Sequence, residues 1–233
     1  MRKIIALGAA VGVVAALVGF SPANAGENHK NGHARAAELS VLHAIPNLPV
    51  DVYVNGALTL NDFTPGTLSD TLSLKAGMYS VAITAADAPN ADNPLLGPVK
   101  LTLRSGQNYT AVAHLAEEGT PTVTLFQNDL RPVRQDSGRL TVRHVAAAPA
   151  VDVLANGTPA ITNLTNPQQA ELTLPTGTIS ASVAATGTTV PLIGPADVTI
   201  AKRTNTIVYA WGSLADGNLA FAVQTVKLVN NRD

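Results

Sequence analysis

Two histidines and two aspartates recur at one spacing, and they are the residues of this chain best suited to chemistry. His43 and Asp51 precede Asn55-Gly56, and His144 and Asp152 precede Asn156-Gly157, with every equivalent position shifted by 101 residues. A histidine beside a carboxylate can act as a general base or hold a metal ion weakly. The same residues have an architectural reading. Each imidazole then donates a hydrogen bond that pins the turn before the next strand, and each carboxylate satisfies backbone groups near the strand start. Register separates the two readings. A four-residue connection closing Ile45 on Val50 would set His43 beside Val52 on the core face and turn Asp51 away, so the architectural role is the expectation.

Other constellations offer less. Asp87, Asn90 and Asp92 form the one oxygen-rich cluster, with side chains suited to Ca²⁺ but no anchoring Glu after them, and the matching Thr186-Gly-Thr-Thr lacks the acids. Asp and Asn are also ordinary turn residues. His29 and His33 are four apart, as a helical metal site requires, yet Asn31-Gly32 between them breaks helices. Tyr53, Phe63, Tyr79, Tyr109 and Trp211 include rings that could stack on a sugar, although a lone Trp on a strand more often packs in a core or a domain interface. No Gly-x-Ser-x-Gly, Ser-x-x-Lys or cysteine occurs, and Ser69-Asp70 has no nameable base. Scattered carboxylates leave a glycosidase pair open on spacing alone. The expectation is that the chain is not an enzyme and has no cofactor.

The elements that must position these residues are strands. Short β-branched runs broken by Gly, Pro and Asn predict strands near 38–45, 50–55, 57–63, 68–74, 78–85, 98–104, 108–116 and 121–127. Asn55-Gly56 and Asn156-Gly157 read as tight hairpin turns, which need positive φ. Alternation puts Val50, Val52 and Val54 toward a core with Asp51 and Tyr53 opposite, and likewise Val151, Val153 and Ala155 against Asp152 and Leu154. Leu72-Ser-Leu74…Gly77 returns as Leu172-Thr-Leu174…Gly177, and Leu95-Leu96-Gly97-Pro98 as Leu192-Ile193-Gly194-Pro195. A repeat near a hundred residues is a whole domain rather than a solenoid unit. The expected fold is all-β, with two tandem β-sandwich domains of immunoglobulin-like or transthyretin-like kind.

Ahead of them, Arg2-Lys3, the apolar stretch Ile4–Phe20 and Ala23-Asn24-Ala25 read as a signal peptide over 1–25. A flexible leader follows over 26–37, then repeat 1 over 38–128, a short stiff linker over 129–138 and repeat 2 over 139–230. The chain has no cysteine, so each exported domain must stand on its hydrophobic core. Without Arg2 and Lys3 the net charge is −3, which argues against nucleic acid or an anionic membrane as partner.

The run His43-x-x-Pro46-x-x-Pro49-Val50-Asp51-Val52-Tyr53-Val54-Asn55-Gly56, with Thr67-Leu-Ser-Asp70…Leu74-x-x-Gly77-x-Tyr79 downstream, resembles the domain of unknown function 4397 family. The resemblance implies an exported bacterial β-sandwich protein with no assigned activity. The second copy departs from the pattern: Pro46 becomes Ala147, Tyr53 becomes Leu154 and Tyr79 becomes Ile179.

The resulting expectation is a secreted or cell wall-associated module, binding or structural, meeting an envelope polymer or another exported protein through loops or a strand edge. The alternatives are a calcium- or ligand-binding accessory protein and, last, a hydrolase.

Overall fold

The structure is a computed structural model and describes residues 35–229. The signal segment, His29 and His33 lie outside the described residues. Within them every regular element is a strand. The first unit contains β1 (Ala37–Ala44), β2 (Val50–Val54), β3 (Ala57–Phe63), β4 (Leu72–Leu74), β5 (Gly77–Ala85), β6 (Leu96–Leu103), β7 (Asn108–Leu115) and β8 (Pro121–Gln127). The second contains β9 (Ser137–Ala147), β10 (Val151–Ala155), β11 (Thr158–Leu164), β12 (Gln169–Pro175), β13 (Gly177–Ala185), β14 (Pro191–Ile200), β15 (Thr204–Ser213) and β16 (Ala220–Lys227).

Each unit is a sandwich of two four-stranded sheets. In the first, β4-β1-β7-β8 faces β3-β2-β5-β6, and in the second, β12-β9-β15-β16 faces β11-β10-β13-β14. The first strand of each unit pairs in parallel with the seventh, as His43 with Ala113 and His144 with Ala210. An immunoglobulin sandwich sets strands one, two, five and four in one sheet. The order here differs from that arrangement.

The hairpin turns form as expected. Asn55 and Asn156 both sit at φ 51°, and Gly56 and Gly157 at φ 80°. Each asparagine also reaches across to the next strand: its Oδ1 accepts the N–H of Ser80 or Ser180, at 2.9 and 3.0 Å. Val50 and Val52 enter the first core with Leu39, Ile83 and Leu101, while Val151 and Val153 enter the second with Leu140, Val183 and Ile200.

Two expectations are corrected. β1 does not close on β2: the two strands lie in different sheets, and β2 pairs with β3 and β5. The connection over 45–49 crosses between layers instead of folding a hairpin. The strand predicted over 68–74 is only β4, because Leu68 makes an isolated bridge to Leu42 while Ser69 Oγ accepts the Val41 N–H at 2.9 Å.

The two sandwiches stack on each other through the faces that β1, β7, β9 and β15 turn away from their own cores. Leu42, Ala44, Val112 and Phe126 of the first meet Val145, Ile207 and Tyr209 of the second in a separate buried cluster. These strands are therefore buried on both faces. The linker is tied down as well: Arg139 donates to the carbonyls of Asp129 and Arg131, and Asn205 Nδ2 to that of Asp129.

Candidate functional site

The recurrent histidines serve the backbone. His43 Nε2 lies 2.7 Å from the Leu48 carbonyl oxygen, and His144 Nε2 lies 3.0 Å from that of Pro149. A carbonyl only accepts, so Nε2 carries the proton in both rings. Each bond closes the layer-crossing connection that follows the first strand of its sandwich. Burial pushes both imidazoles below their ordinary pKa, partly opposed by the hydrogen bonds to those carbonyls. His43 also stacks on Phe63, with ring centroids 6.0 Å apart.

The recurrent aspartates hold a different feature. β3 and β11 each carry a bulge opposite the middle of the neighbouring strand, with Asp62 and Asn163 at positive φ. Asp51 Oδ1 accepts the Asp62 N–H and Asp152 Oδ1 the Asn163 N–H, both at 2.8 Å. Asp152 Oδ2 takes the Gly187 N–H as well, at 2.9 Å, and these bonds hold its carboxyl below the usual range. The acids therefore satisfy a bulge in the next strand rather than their own strand start. His43 and Asp51 come from opposite sheets, and so do His144 and Asp152. Each of the four is engaged by backbone.

The aromatic candidates are dispersed. Tyr53 donates to the Ala88 carbonyl, which pins the 86–95 loop over the outer face of its sheet, and Tyr79 donates to Lys75. Tyr109 is buried in the first core. Trp211 packs in the seam between the sandwiches, so close to Gly66 that a methyl there would sit 2.7 Å from the indole. Asp87, Asn90 and Asp92 share one exposed loop, where Asn90 Oδ1 accepts the Asp92 N–H at 3.0 Å.

Sequence reasoning missed the polar ring in that seam. The guanidinium of Arg143, fully buried, donates through Nη1 to the Tyr209 hydroxyl at 2.7 Å and through Nη2 to Asn128 Oδ1 at 2.8 Å. Tyr209 donates to Gln224 Oε1 at 2.6 Å, which also accepts from the Thr110 hydroxyl at 2.9 Å. Asn128 Nδ2 closes the ring on Thr110 Oγ1 at 3.0 Å. Arg143 Nε reaches Gln169 Oε1 at 2.9 Å. Burial lowers the arginine's pKa and raises the tyrosine's, so the phenol keeps the proton it donates. Two bonds of the ring cross from one sandwich to the other.

A visible signal existed. Thr110-Ala-Val-Ala-His-Leu115 and Thr206-Ile-Val-Tyr-Ala-Trp211 are nearly unbroken apolar runs, the pattern of strands covered on both faces. Arg143 itself carried none, because its equivalent in the first unit is Leu42.

The seam also sets the solvent-facing surface. Asn166 Nδ2 donates to the carbonyls of Leu115 and Ala146, so the C-terminal ends of β7 and β9 lie together. Connections from both sandwiches gather at this end. Between them opens a crevice of about 560 Å³ lined by Glu117, Glu118, Ala148, Pro149 and Leu214. Leu48, Leu95, Val190, Leu192 and Leu214 stand exposed at the same end, Val190 by 74%. Loops from both sandwiches therefore carry apolar side chains into solvent at this end of a rigid frame.

No curated protein matches the chain. The family model for a domain of unknown function, DUF4397, matches residues 37–153. That stretch takes in the whole first sandwich, the linker, β9 and the start of β10, including His144 and Asp152. The chain belongs to the DUF4397 family.

Proposed function

We propose that this protein is an exported, non-enzymatic binding or structural module of the cell envelope or extracellular space, and that it meets its partner with the end where the crevice opens. The observation that carries this reading is the gathering of an open crevice and five exposed large apolar side chains at that end, four of them on loops drawn from both sandwiches and Leu192 at the start of β14. The non-catalytic part rests on how the best chemical candidates are used: His43, His144, Asp51 and Asp152 are all spent on backbone groups that shape connections and bulges. Export rests on the signal pattern over 1–25.

The test is to incubate the chain from residue 26 onward with its own cell-envelope fraction and measure what sediments. Saturable sedimentation, competed by a defined wall component, is expected. A protein that stays wholly in the supernatant overturns the envelope-binding role.

A further inference from the structure

The two ends of the molecule carry opposite charge. At the crevice end, none of the eight connections contains a lysine or an arginine, while Asp87, Asp92, Glu117, Glu118 and Asp216 are all exposed there. At the opposite end, where the linker runs, lie Arg35, Lys75, Arg104, Arg134, Lys202 and Arg203, all exposed. Arg131 and Asp129 of the linker pair with each other at 2.6 Å, leaving Asp136 as the other acid in those connections.

Unburied apolar side chains follow the same axis. Of the nine large apolar residues that stand exposed among the described residues, five lie at the crevice end and three, Leu58, Met78 and Val229, at the linker end. Val223 alone sits on a flank, in edge strand β16. An unbiased surface would spread such residues over the broad flanks as well. Here apolar contact area and charge complementarity coincide on two faces that point in opposite directions.

We infer that the chain associates head to tail with further copies of itself, the acidic crevice end of one molecule seating on the basic linker end of the next. Such a contact is heterologous: it joins two different patches and leaves one of each free, so it propagates into a filament unless the rotation closes a ring. Complementary ends steer encounter and fix the order of docking, and apolar residues within them supply desolvated contact area. This deepens the structural reading of the envelope role, and it is tested on purified protein, without envelope, so the two can fail separately.

The experiment is sedimentation velocity over a concentration series at about 20 mM and about 500 mM salt, where the screening length shortens several-fold. Two variants accompany the natural chain: a crevice-end reversal (Glu117→Lys, Glu118→Lys, Asp216→Lys) and a linker-end reversal (Lys75→Glu, Arg104→Glu, Lys202→Glu). The natural chain should form species larger than a monomer at low salt and revert at high salt. Each reversal alone should stay monomeric, and mixing the two should restore association, because every contact in the mixture again joins opposite charges. A natural chain that is monomeric at low salt up to the highest concentration overturns the inference. So does association that survives both reversals, or a mixture of reversals that stays monomeric.

Discussion

The guanidinium carbon of Arg143 lies 4.3 Å from the centre of the Phe126 ring, a cation in the second sandwich resting on an aromatic face of the first. Tyr209 stands on its other partner side, with the ring centre 5.3 Å away. The equivalent of Arg143 in the first unit is Leu42, and register makes Gln224 the equivalent of Phe126. The seam thus joins two copies of one surface that have diverged into complementary halves. Among the described residues Arg143 makes three hydrogen bonds and no direct ion pair.

Replacing Arg143 with leucine, the residue at the equivalent position, should be strongly destabilising. It would leave buried Asn128 and Tyr209 short of a partner, while exposed Gln169 turns to water, at a cost of about 2–4 kcal/mol. Arg143→Lys should recover only part of this, since an ammonium cannot reproduce a planar fork directed at three acceptors. Urea unfolding followed by circular dichroism measures both. The fluorescence of Trp211, the single tryptophan, should report the same midpoint, because it packs in the seam.

Stability should fall on the acid side of neutrality. Burial holds His43, His114 and His144 below their ordinary pKa, so the unfolded chain binds more protons than the folded one just beneath that value. The contribution is fully present above pH ~6.5 and is lost as the pH drops from there toward the folded-state values. The slope is at most about 1.4 kcal/mol per pH unit for each histidine. Denaturant midpoints measured from pH 7.5 down to 5 check the sign, and stability that rises on acidification contradicts it.

Val52 and Val153 occupy equivalent places in the two cores, each almost fully buried. Val52→Asp or Val153→Asp should each cost about 3 kcal/mol or more, because a carboxyl would lose its water with no partner in reach. A near-zero loss in both would mean the strand phase is wrong.

The strand positions were legible because their signals are local. Alternation placed Val50 and Val52 inward, and Asn-Gly marked both hairpins, since a primed turn needs residues that tolerate positive φ. Pairing was not legible. β1 finds its parallel partner β7 some 70 residues later, and nothing near His43 says that the connection after it changes layers. The histidines' bonds to their turns followed from the architectural reading. The aspartates' bonds to a bulge did not, because a bulge in β3 has no fixed sequence mark. Arg143 was invisible for a further reason: a buried cation is defined by partners at 128, 169 and 209, which only the stacked fold brings together.

The central claim is that the crevice end is the working surface. Envelope co-sedimentation of two variants tests it most directly: the crevice-end Glu117→Lys with Glu118→Lys, and the flank Val223→Thr. Binding by the first should fall about tenfold or more, the ~1.4 kcal/mol expected when favourable charges are reversed at a contact, while the second binds as the natural chain does. Undiminished binding by the crevice-end variant, with loss in the flank variant, would contradict the account and move the contact to the edge of β16.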